Sequence, residues 1–134
     1  MTELPELPQR AGDAPAGWRP PTQMDVAHYL GAYSRELDKA TAEVQRLGDE
    51  YAEAKAEHRV AYARAYLSAQ GTVKDRDAEA VLATANEFIR MEAAEQKLKA
   101  SRERVQTLRT QIGAGQSIGA AIRAEIGLAG AVGP

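Results

Sequence analysis

Two stretches of period-seven hydrophobicity, one on each side of Gln70-Gly71-Thr72, restrict this chain more than any other feature of it. From Met24 to about Ala69 a heptad frame puts Leu30, Leu37, Val44, Tyr51, His58 and Ala65 at a, with Tyr33, Ala40, Leu47, Ala54 and Ala61 at d. Only His58 interrupts the apolar seam. The second stretch repeats the grammar, with Met91, Leu98, Val105 and Ile112 at a and Ala94, Ser101, Leu108 and Gly115 at d. Nowhere does period-two alternation run over a comparable length, so the pattern predicts an all-α chain: a long antiparallel two-helix hairpin, closed as a coiled coil, over residues 24–112.

A hairpin sets the a positions of one arm against the d positions of the other. Residue numbers that sum to a constant then share a layer: Leu30 with Gly115, Tyr33 with Ile112, Leu37 with Leu108, Leu47 with Leu98, Ala54 with Met91. Several layers oppose a large and a small side chain, as close packing asks. Beyond Ala54 and before Met91 both arms leave the strict frame, for Ala56, Val60, Ala63 and Leu67 on one side and Val81, Ala85 and Phe88 on the other. Charges at g support the same register, pairing Glu57 with Arg90, Glu50 with Lys97 and Glu43 with Arg104. Exposed pairs contribute only about 0.2 to 1 kcal/mol each, so they select orientation more than they stabilise.

The turn at 70–72 has its own chemistry. Gly71 suits the left-handed end of a helix, and Thr72 suits the N-cap of the next, with Asp75 three residues on to complete a capping box. Thr22 and Asp25 repeat that pair at the start of the first arm. No proline falls between Thr22 and Gly133, which predicts two uninterrupted helices. Residues 1–23 hold five of the six prolines and lack a period, and are expected to be extended or disordered, with Trp18 as a possible anchor. Residues 113–134 are rich in Gly and Ala; the second arm is expected to continue weakly through Gly113 and Gly115 and fray at its end.

The remaining composition mostly excludes. With aromatic residues at 5% and a two-helix seam, the chain builds a thin core, which predicts a homo-oligomer, most simply a dimer in a four-helix bundle, or a helical protein partner. Cysteine is absent, so thiol chemistry is excluded. No apolar run is long enough for a membrane span and the N-terminus is acidic, so the expected location is cytoplasmic.

No enzyme motif appears. Asp25 and His28 have carboxylate–histidine spacing, but His58, the other histidine, has Lys55 at the matching place, so no second half-site exists and no metal is expected. Gly113, Gly115 and Gly119 follow a helix where a dinucleotide loop follows a strand, so no cofactor is expected either. What the sequence does offer is two surface groups. Lys99, Arg102, Arg109 and Arg123 lie in a stretch, 96–123, that holds six basic residues against Glu103 alone. That is a candidate contact for nucleic acid or an acidic partner. Tyr62 and Tyr66, one turn apart beside Arg59, make a candidate patch at the hairpin tip, for binding or oligomerisation.

Over Ala61-Tyr62-Ala63-Arg64-Ala65-Tyr66-Leu67, Gly71-Thr72-Val73-Lys74-Asp75-Arg76-Asp77-Ala78-Glu79, and Leu108-Arg109-Thr110-Gln111-Ile112 to Arg123-Ala124-Glu125, the chain resembles small helical proteins of actinobacterial phages and prophages. The resemblance implies a setting among replication and recombination genes, and with it a non-enzymatic accessory that binds DNA or a DNA-handling protein. The alternative is a structural coiled-coil adaptor or virion assembly component with no nucleic-acid contact. A secreted hairpin of the WXG type needs Trp-x-Gly at the turn, where this chain has Ala69-Gln70-Gly71.

Overall fold

The computed structural model describes residues 3–8, 17 and 19–131, and among them the regular secondary structure is entirely helical. Helix α1 spans Gln23–Ser68, α2 spans Val73–Ala83 and α3 spans Ala85–Ala131, and the two long helices pack against each other. Every heptad seam position from Leu30 to Ala65 and from Met91 to Gly115 is buried or half-buried, so the period read from the sequence is the period of the core.

Both expected capping boxes form. Thr22 Oγ1 accepts from the Asp25 amide at 3.2 Å while Asp25 Oδ2 accepts from the Thr22 amide at 2.9 Å. Thr72 and Asp75 make the same exchange, at 3.2 Å in both directions. Between α1 and α2, Gly71 takes φ +109°, a conformation that L side chains rarely adopt. A Cβ there would also stand 2.9 Å from Asp75 Oδ2, so the turn and the cap constrain one another. Thr72→Ala is expected to cost about 1 kcal/mol and Thr72→Ser little, which thermal melts of the two variants at equal concentration will resolve.

The second arm is not one helix, contrary to the expectation drawn from its lack of proline. Thr84 leaves helical geometry at φ −112°, ψ 18° and is only 3% exposed. Its hydroxyl donates to the Ala80 carbonyl at 2.7 Å, its amide bonds the same oxygen at 3.1 Å, and the Phe88 amide bonds the Thr84 carbonyl at 3.0 Å. A threonine hydroxyl that bonds back to the carbonyl four residues earlier competes with helical geometry without any proline, and here the backbone bonds on either side of it are kept. By contrast, α3 runs through Gly113 and Gly115 unbroken.

The chain divides into two units, Met1–Lys39 with Val105–Pro134, and Ala40–Arg104. In the first, Val26, Tyr29, Tyr33, Val105 and Leu108 form the core. Small residues on α3 let α1 come close: a Cβ on Gly115 would lie 2.7 Å from Tyr29 Cε1 and 3.0 Å from Leu30 Cδ2, and one on Gly119 would lie 3.2 Å from Val26 Cγ1. Tyr29 stacks tilted on Tyr33, with ring centres 4.3 Å apart, and donates to Gln111 Oε1 at 2.9 Å and to the Gln111 carbonyl at 3.2 Å. Burial first, then the neighbouring Tyr33 phenol, pushes the Tyr29 hydroxyl up to about 12.

Residues 3–8 carry no regular structure, yet Leu4, Pro5, Leu7 and Pro8 are half-buried, and Leu7 helps line a cavity of about 330 Å³ with Tyr29, Tyr33 and Ile118. Trp18 lies outside the described residues. At the start of α1, Arg19 grips Asp25 with Nη1 at 2.6 Å and Nη2 at 3.0 Å. That guanidinium, and then the Thr22 amide, hold the Asp25 carboxyl well below the usual carboxylate range. A depressed carboxylate favours the fold above the ordinary aspartate range, and its contribution is lost as the pH falls through the lowered value.

The second unit is held by Ala40, Leu47, Ala69, Ala80 and Leu98. Leu98 Cδ1 lies 4.0 Å from where a Cβ on Gly48 would be, an ordinary contact. Of the g pairs expected here, Glu57 approaches Arg90 at 3.9 Å. Glu43 and Glu50 do otherwise: both turn to Arg46 on their own helix, at 2.5 Å and 2.9 Å. Partners three and four residues away need less side-chain ordering than partners on another helix, and the local pairs win.

Candidate functional site

The expected shift of frame beyond Ala54 does not occur, and this creates the most distinctive surface of the molecule. The original frame continues instead, with His58, Ala61 and Ala65 half-buried on α1, Ala80 fully buried on α2, and Thr84 buried between α2 and α3. The residues read as a displaced seam face outward. Val60 is 49% exposed, Leu67 80%, Val81 55% and Phe88 47%, and Leu82 and Ile89 stand beside them at 79% and 62%. Such a concentration of exposed branched and aromatic side chains marks an interaction surface.

These side chains fall on two unlike flanks of the second unit. On one, His58, Tyr62, Val81, Thr84, Phe88 and Ile89 line a groove of about 440 Å³. His58 meets the Phe88 ring edge to face, 5.6 Å between centres, and Tyr62 lies 6.4 Å from His58 and 6.2 Å from Tyr66, stacked on the latter. The Tyr62 hydroxyl donates to the Asp77 carboxylate, tying α1 to α2 across the end of the groove. That bond, more than burial, raises the Tyr62 phenol above its ordinary value. On the other flank a groove of about 540 Å³ runs between Glu53, Glu57, Val60, Arg64, Glu87 and Arg90. One flank is lined by carbon; the other mixes charged side chains with Ala56, Val60 and Ala61.

The tip patch expected at Arg59, Tyr62 and Tyr66 is therefore assembled in part. The two tyrosines stack, Arg59 is exposed on the same helix, and the patch continues into Ile89 and into Val81 and Phe88, the last two expected in the seam. Asp77 also went unrecognised as a partner. The signal that would have found them is the continued burial frame, which puts these residues outside it.

The basic residues are not gathered into one cluster. Lys99 and Arg102 lie one turn apart on α3 in the second unit, and both are exposed. Arg109 and Arg123 belong to the first unit, exposed, four turns or about 21 Å apart along α3. A Cβ on Gly119 would meet Arg123 Nη1 at 3.6 Å, so that guanidinium lies along its own helix. Within the second unit, Lys99 and Arg102 lie outside the lining of the aromatic groove.

Asp25 is committed to Arg19 and Thr22. Among the described residues no group of three histidine, aspartate or glutamate side chains is placed to hold a metal ion, and no helix is long and apolar enough to cross a membrane. No protein-family model, curated protein or solved structure matches the chain.

Proposed function

We propose that this chain is a self-associating helical adaptor: an antiparallel coiled-coil hairpin that acts by presenting helical surfaces to protein partners. The observation that carries the reading is an imbalance between core and surface. Val60, Leu67, Val81, Leu82, Phe88 and Ile89 of the second unit are all between 47% and 80% exposed. Leu108 is the one large side chain among the described residues that is buried almost completely. Large apolar side chains left exposed beside so thin a core mark a surface suited to a partner.

The antiparallel reading is supported within each unit by its contacts. In the first, Val26 meets Gly119 and Leu30 meets Gly115; in the second, Gly48 meets Leu98, Glu57 meets Arg90, and His58 meets Phe88. Numbers climb on α1 as they fall on α3. In the phage-type setting that the sequence resemblance implies, such a module would serve assembly or scaffolding. Binding of DNA through Lys99 and Arg102 is the second reading, favoured by their exposure and by the lack of an ion pair to either among the described residues.

Size-exclusion light scattering, with and without a short single-stranded DNA at low and physiological salt, separates them. The adaptor reading expects twice the 14.4 kDa chain mass at both salts, unchanged by DNA. A particle of single-chain mass at every concentration overturns it. Salt-dependent uptake of DNA, lost in Arg102→Glu, gives the second reading precedence.

A further inference from the structure

We propose that the carbon-lined groove of the second unit is the self-association site, and that its occupant is the same groove of a second copy, related by a two-fold axis along the helices. This rests on the adaptor reading and gives it a surface and a register.

The lining comes first. Val81, Phe88 and Ile89 project exposed carbon along one wall and His58 and Tyr62 along the other, while the single buried hydroxyl, that of Thr84, is already spent on Ala80. Its polar groups are few, the His58 imidazole and the Tyr62 hydroxyl already given to Asp77, so the groove suits the apolar ridge of another helix better than a polar ligand. At about 440 Å³ it is large enough to receive bulky side chains from that ridge.

Charge identifies the ridge. On α1, Lys55 and Arg59 each stand three residues before a lining side chain, His58 and Tyr62, and the Lys55 ammonium lies 5.9 Å from the Tyr51 ring centre. Along the rim of α2 and α3 stand Asp77, which holds Tyr62, and Glu92, one turn beyond Phe88. The walls of the groove thus carry opposite signs. A two-fold axis parallel to the groove sets each wall against the other wall of the copy at the same level, so that Lys55 and Arg59 of each chain face acidic residues of its partner. Isologous contact needs this self-complementarity, whereas a phosphate backbone would meet an acidic rim along half its path.

The experiment uses the full chain and sedimentation equilibrium, with helicity followed by circular dichroism. Phe88→Glu and Ile89→Glu, exposed positions where the fold has little at stake, are each expected to raise the dimer Kd by roughly thirtyfold or more, since a two-fold contact counts each change twice. Val60→Glu, an exposed apolar position on the charged flank, is expected to leave the Kd unchanged. Lys55→Glu and Glu92→Lys are each expected to weaken the homodimer, and an equimolar mixture of the two to recover a heterodimer, because both cross-contacts then join opposite signs.

Failure has distinct forms. If the wild-type protein self-associates and the Phe88 and Ile89 variants do so equally well, this groove is not the site and the adaptor reading survives. A mixture of the two charge variants that stays monomeric rules out the proposed register. If the Phe88→Glu variant keeps its dimer but loses uptake of single-stranded DNA, the groove serves nucleic acid and the proposal is overturned. A wild-type chain that never associates removes both readings.

Discussion

Leu108→Ala is expected to cost about 2 to 5 kcal/mol, the range for a large aliphatic side chain removed from a site that collapses only partly. Leu108 is 2% exposed, and the rest of the first unit's core is Val26, two tyrosines whose hydroxyls limit how they repack, and Val105. No second large aliphatic side chain stands equally deep to take over its contacts. The melting midpoint is expected to fall by roughly 6 to 20 °C, read at fixed protein concentration because self-association shifts the midpoint by mass action. A loss below about 1 kcal/mol would mean that Leu108 lies at a wetter place than its burial indicates.

The next largest effect reverses the sign that helix propensity assigns. In a helix interior, glycine to alanine is favourable by about 1 kcal/mol, and Gly113→Ala is expected to realise most of that because nothing lies within 4 Å of its missing Cβ. Gly115→Ala, two residues on in the same helix, is expected to destabilise by about 1 to 3 kcal/mol. Its Cβ would enter to 2.7 Å and 2.8 Å of the Tyr29 ring and 3.0 Å of Leu30. The ring has little freedom to withdraw, since it stacks on Tyr33 and its hydroxyl is engaged by Gln111. In a Tyr29→Ala background the same glycine change is expected to become neutral or favourable, a coupling that a double-mutant cycle by chemical denaturation measures directly. Equal gains at Gly113 and Gly115 would contradict the close approach.

Those two glycines show what the sequence can and cannot convey. The layer that sets Gly115 against Leu30 follows from heptad arithmetic, as does the burial of Leu47, Leu98 and Leu108, because a heptad pattern is a local periodic property. The capping boxes at Thr22 and Thr72 were legible for the same reason: three-residue spacing on a short polar side chain leaves few alternatives. The break at Thr84 was not, since threonine bends a helix only where its hydroxyl turns back to the carbonyl four residues earlier, and that choice depends on burial. The candidate site was misread through an assumption that apolar residues seek the core. Val60, Leu67, Val81 and Phe88 sit at helical spacing and invite a second frame, yet the first frame keeps its small residues, Ala61, Ala65 and Ala80, inside. The alanines close the helix pair tightly and leave no room for the larger side chains. Charge pairing was legible in part: Glu57 does approach Arg90, while Glu43 and Glu50 had Arg46 nearer to hand.

The unlikeness of the two flanks also determines how an assembly of this chain ends. A molecule with sticky carbon on both sides of its helix pair would add copies without limit and grow as a filament. Here a pair formed through the groove of Phe88 and Ile89 consumes that surface on both members and leaves outward the flank of Glu53, Glu57, Arg64 and Arg90, which water solvates well. If the proposed pair forms, growth through that groove stops at two, and the flank it leaves outward carries both signs of charge, which selects among further partners more than it binds them.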